Sequence, residues 1–172
     1  MSGRGTVVIA DTGPPHYLVL IGAVDLLPVL FDAVVVPDAV LAELGRQRTP
    51  APVRTWAAAH ASWLLPRPTA PIASLPHPDL GDGERAAMAL ARDARAAGAP
   101  VLLLIDDRAA VQAARAEGFQ VTGTIGVLLR AAREDLIDLT AAFAALRATN
   151  FHCPPALLDA LLTEHLRHSS VP

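Results

Sequence analysis

The chain has 172 residues, 52% of them apolar, enough for one compact domain that buries a core without covalent staples; this composition excludes a disordered polymer. Its formal charge of -3 excludes a protein that grips nucleic acid through a uniformly basic surface, although a local arginine patch fits within that total. A lone cysteine, Cys153, allows no internal disulfide and suits a reducing compartment.

Near the N-terminus, "TVVIAD" is a short apolar run stopped by Asp11 before a signal-peptide core is complete. Asp25, Pro28 and Asp32 interrupt the longest apolar stretch, so no membrane span is predicted and a cytoplasmic protein is expected. Residues 6–10 read as a strand buried on both faces, followed by the turn-forming "TGPP". "HYLVLIGAVDLLPVLF" reads as two short helices punctuated by Gly22 and Pro28.

A second buried strand, "AVVVP", leads into a helix "PDAVLAELGR" favoured by its early proline and acid, and this helix carries Glu43. "VRTWAAAHA" is helical, and "SWLLP" is a candidate strand. The clearest helix is "LGDGERAAMALARDARAAG", with Asp82 as its expected cap and Gly98 as its stop. "VLLLI" is a third buried strand, then come helix "RAAVQAARAEG", short strand "FQVTG" and helix "TIGVLLRAAREDLI". The remainder, "LTAAFAALRATN" and "PPALLDALLTEHL", is helical. Apolar strands alternating with helices specify an α/β fold with a parallel sheet covered on both faces, where ligands collect beyond the carboxyl ends of the strands.

Acids recur at that edge: Asp11 after the first strand, Glu43 on the following helix, Glu84 at a helix start, and Asp106 with Asp107 after "VLLLI". Singly each has an ordinary reading, a turn for Asp11, a favoured helix start for Glu84, a solvated face for Glu43. Gathered together they repel one another unless a cation sits among them, and an all-oxygen set selects a hard ion such as Mg²⁺ or Mn²⁺.

In order, "VVIADTGPP", "VVVPDAVLAEL", "LGDGERAAMALA", "VLLLIDDRAA" and "VTGTIGVLL" resemble the successive motifs of PIN-domain proteins, metal-dependent ribonucleases that include VapC-type toxins. The resemblance runs from about Thr6 to Leu129, and the later helices resemble the extension of a PIN subgroup of predicted nucleic-acid-binding proteins. It implies a three-layer α/β/α PIN-like domain over residues 1–137 with a helical C-terminal extension of the same domain over 138–172. It also implies that Asp11, Glu43, Glu84 and Asp107 are the catalytic, metal-binding acids, with Asp106 an extra neighbour able to join them. Asp107 takes the place of the acid in a Thr-any-Asp pattern, although Ile105 stands where the family often has Thr, and Pro15 with His16 replaces a more usual aliphatic pair. Thr12 is then the hydroxyl beside Asp11, while Thr124, Arg46 and Arg48 are candidates for second-sphere or substrate contacts. The implied activity is hydrolysis of RNA with Mg²⁺ or Mn²⁺; the implied partners are the RNA substrate, a second copy of the chain and, for a toxin, a small antitoxin. The competing expectation is a PIN-like nucleic-acid-binding or scaffold module that has lost turnover.

Other constellations are weaker. A receiver domain requires a later lysine, and the chain contains none; a haloacid-dehalogenase-type phosphatase requires Asp where Gly13 stands. Neither a Walker lysine nor a Gly-any-Gly-any-any-Gly turn is present, and Thr124 in "GTIG" reads first as a helix cap. His165 and His168 share a helix face, with His152 and Cys153 upstream, but no second tight ligand pair supports zinc. Trp56 and Trp63 read as packing residues ahead of base-stacking ones, and Arg46, Arg48 and Arg54 as a candidate phosphate patch or a solvated loop.

Overall fold

The computed structural model describes residues 5–59 and 61–169. Five short strands, β1 (Val7–Ala10), β2 (Val34–Pro37), β3 (Leu64–Arg67), β4 (Val101–Leu104) and β5 (Gln120–Thr122), form one parallel sheet in the order β3-β2-β1-β4-β5. β1 is therefore central, and the chain winds outward from it in both directions. Strand alternation sends Val8, Ala10 and Leu104 into the core on one face and Ile9, Leu103 and Ile105 into the core on the other. Both faces are apolar because both are covered by helices.

One layer consists of α5 (Asp82–Ala96) and α6 (Arg108–Ala116), whose Ala87, Met88, Ala91, Ala110 and Ala114 pack on the sheet. The other layer holds α1 (Gly13–Leu20), α2 (Leu26–Phe31), α3 (Asp38–Leu44), α4 (Ala51–Ala58) and α7 (Thr124–Arg133). The helices α8 (Leu139–Arg147) and α9 (Pro155–Ser169) close that layer, burying Leu139, Phe143, Leu146 and Leu158 in the same core. The three-layer α/β/α arrangement matches the expectation from the sequence.

Several local expectations shift for identifiable reasons. Pro28 lies inside the first turn of α2 instead of ending a helix, because an amide there has no intrahelical partner to lose. Asp82 is the first residue of α5, not its cap; Gly81 holds the cap position and its N–H donates to the Glu84 carboxylate at 2.8 Å. α7 ends at Arg133, where Asp135 turns left-handed at φ 56° and Leu136 N–H reaches back to Ala131 O. Thr124 is likewise not a cap: Gly123 precedes the helix, which leaves the Thr124 side chain available for another partner.

No helix among the described residues is long and apolar enough to cross a membrane.

Candidate active site

The carboxyl ends of β1 and β4 meet at the point where the sheet order reverses, the position at which open parallel sheets hold ligands. Register pairs Ala10 with Leu104, and Asp11 N–H still donates to Leu104 O at 3.0 Å. Asp11 and Asp106 therefore leave two adjacent strands side by side. Asp11 is only 6% exposed. Burial pushes its carboxyl up to about 7; the Thr12 amide opposes that shift, while Glu84, Glu43 and Asp106 add to it by charge repulsion.

Glu43 comes to this edge from α3. Its Oε2 accepts the Thr12 hydroxyl at 2.6 Å, and its Oε1 accepts Gly83 N–H, from the first turn of α5, at 3.2 Å. Gly83 is required there: a Cβ would stand 2.7 Å from Asp11 Oδ1 and 3.1 Å from Thr12 Oγ1. Helix α5 thus docks its first turn directly against two acids. Glu84, one residue on, folds back onto Gly81 N–H at 2.8 Å, and its carboxyl is raised chiefly by burial, with Asp107 and Glu43 adding repulsion.

Asp106 is held from the opposite layer. Thr124 donates its N–H to Oδ1 at 2.7 Å and its hydroxyl to Oδ2 at 2.6 Å. Burial raises this carboxyl too, and the two Thr124 bonds oppose the rise. Asp107 is exposed and caps α6, its Oδ1 accepting Ala110 N–H at 2.9 Å. Of the adjacent pair, Asp106 is the one locked beside Asp11.

The structure thus gathers all five candidate acids into one electrostatic neighbourhood. The ion pairs among the described residues involve none of them. Their donor atoms are all oxygen, and a buried carboxyl at about 7 is one that a cation would ionise. That chemistry fits a hard divalent ion. No group of three or more His, Cys, Asp or Glu among the described residues is arranged to hold a metal; Glu84 and Asp107 are engaged with helix amides.

A sequence model of the PIN domain matches residues 7–166, from the first residue of β1 to near the end of α9. The chain belongs to the PIN-domain family. No curated protein matches it in sequence. The PIN domain is a nuclease-type fold.

The remaining candidates fall elsewhere. Arg46 and Arg48 are exposed on the loop after α3 with no ion-pair partner among the described residues, while Arg54 pins that loop through Gln47 O at 2.6 Å and Thr49 O at 3.2 Å. Trp56 and Trp63 pack on each other, ring centres 6.0 Å apart, and against the core. The His168 ring bonds its own helix at Glu164 O, 2.8 Å away. Sequence reasoning missed Gly83, whose signal was a glycine between two acids at a helix start. It also missed the buried Arg85, which ties the 75–80 loop to α5 through Leu75 O and Pro76 O and left no sequence signal.

Proposed function

We propose that this PIN domain is a metal-dependent endoribonuclease that hydrolyses RNA phosphodiester bonds. One observation carries the reading: five carboxylates, one of them buried with its carboxyl at about 7, lie at the sheet's ligand edge, and among the described residues no cationic side chain forms an ion pair with them. Asp11 and the neighbouring Asp106 would hold Mg²⁺ or Mn²⁺, with Glu43, Glu84 and Asp107 reaching the ion through water. Such an ion supplies an acidified water and positive charge facing the scissile phosphate.

The chain's own part is orientation. The Thr12 hydroxyl and Gly83 amide fix the Glu43 carboxylate, and the two Thr124 donors fix Asp106. Thr124 brings its hydroxyl to Asp106 from α7, whereas the side chain at position 105, an isoleucine, is buried in the core beneath α5 and α6. A degenerate binding module is disfavoured because every acid position of the pattern is filled.

The test is cleavage of single-stranded RNA in Mg²⁺ or Mn²⁺ by wild type and by Asp11→Asn, with circular dichroism to show that both fold. Wild type should cut and the variant should not; equal rates, or no cutting by wild type with either metal, overturn the reading.

A further inference from the structure

Beside the acids lies an open cleft of about 880 Å³, walled by Tyr17 of α1, by residues 151–154 between α8 and α9 with Pro155 at the start of α9, and by Asp106, Asp107 and Arg108. It shares Asp106 and Asp107 with the acidic edge and so opens directly onto it. Its volume lies within the range of small-molecule sites and leaves room for a nucleotide.

Two packed aromatic rings stand in the wall. Tyr17, the chain's one tyrosine, meets Phe151 edge to face, centres 4.8 Å apart at 89°. Both rings are half-buried and pack on the core, so each fixes the other and the aromatic wall exists before any ligand arrives. Pro154 stiffens the loop that carries Phe151, and Pro155 opens α9. Tyr17 stands close enough to Asp106 for that charge to reinforce the rise that burial causes in its phenol.

Arg108 supplies the positive charge. It is exposed in the first turn of α6, next in sequence to two carboxylates, yet pairs with neither. A guanidinium beside acids it does not bridge remains available to a phosphate.

We propose that this cleft receives the unstacked base of the nucleotide adjoining the scissile bond, with Phe151 as the stacking surface, Tyr17 as its support and Arg108 as the contact to that nucleotide's phosphate. The inference rests on the ribonuclease reading and adds to it the place where the flanking base is held, which only an unpaired base can enter.

The test measures binding of a short, fluorescein-labelled single-stranded RNA by anisotropy in Mg²⁺, in an Asp11→Asn background that leaves the strand uncut. Phe151→Ala should weaken binding about tenfold, and removing one base from the strand should cost the unaltered cleft about the same. In Phe151→Ala that base removal should cost nothing further. Arg108→Gln should weaken binding and flatten its salt dependence. Should Phe151→Ala fail to fold, Phe151→Leu keeps an apolar side chain and lacks the ring face.

Tight binding of the intact strand by the Phe151 variants, or an equal cost of base removal with and without Phe151, overturns the cleft while leaving the ribonuclease reading intact. The expected binding pattern in a protein whose wild type never cuts RNA overturns the activity and leaves the cleft. No binding of any strand overturns the cleft as well.

Discussion

Thr124 gives the Asp106 carboxylate two hydrogen bonds from one residue, backbone N–H to one oxygen and hydroxyl to the other, at 2.7 and 2.6 Å. Thr124 is fully buried, so nothing else can replace the hydroxyl. Thr124→Val keeps the shape and removes one donor, leaving a partly buried carboxylate short of a partner. The expected cost is about 1–3 kcal/mol of stability, read from urea unfolding, together with a loss of RNA cleavage. Unchanged stability would show that water substitutes at Asp106.

Asp11 governs the pH dependence of the metal-free protein. Its folded carboxyl stands at about 7 against an ordinary 3.8, so the folded state holds a proton that the unfolded chain releases. That contribution is complete below 3.8 and is lost as the pH climbs through about 7. Glu84 and Asp106 are raised as well and act with the same sign. Thermal midpoints in chelator should therefore fall across this range, and Asp11→Asn should flatten the fall and stabilise the protein at its alkaline end. Parallel profiles for the two proteins would remove Asp11 as the cause.

Gly83→Ala sets two effects against each other. Alanine favours a helix by about 1 kcal/mol. The added Cβ, however, meets Asp11 Oδ1 at 2.7 Å, with Thr12 Oγ1 and Val40 Cγ2 both at 3.1 Å, an overpacking worth about 1–3 kcal/mol. Net destabilisation and weaker Mn²⁺ uptake by calorimetry are expected. A more stable variant would mean that the first turn of α5 can retreat from the acids.

Asp107 serves as both helix cap and rim charge, and two substitutions separate the roles. Asp107→Ala should cost about 1 kcal/mol, whereas Asp107→Asn still accepts the Ala110 amide and should cost a few tenths. If Asp107→Asn also retained full cleavage, its charge would have no part in the reaction.

The sheet was readable from sequence because wholly apolar, β-branched runs ending in acids have few alternative placements, and all five strands lie where "TVVIA", "AVVVP", "SWLLP", "VLLLI" and "FQVTG" put them. The acids that would share a site could be nominated from their places at strand and helix ends. Which of Asp106 and Asp107 stands beside Asp11 could not, because it depends on a threonine 18 residues downstream in α7. The caps expected at Asp82 and Thr124 stand one residue earlier, at Gly81 and Gly123, whose extended backbone opens each helix; the Gly81 N–H is then taken by Glu84 and the Thr124 N–H by the distant Asp106. The cleft on Tyr17 and Phe151 has no local signature, as its walls come from opposite ends of the chain.

The pairing of β1 with β4 joins Val7 to Val101, and the strand that carries Asp11 cannot meet the strand that carries Asp106 until most of the polypeptide exists. A nascent chain halted just before β4 holds Asp11, Glu43 and Glu84 but lacks Asp106 and Asp107, and with them the strand that sets a second acid directly beside Asp11. Two fragments divided within the 67–82 connection would each be inert, and their reassociation would restore the complete constellation at once.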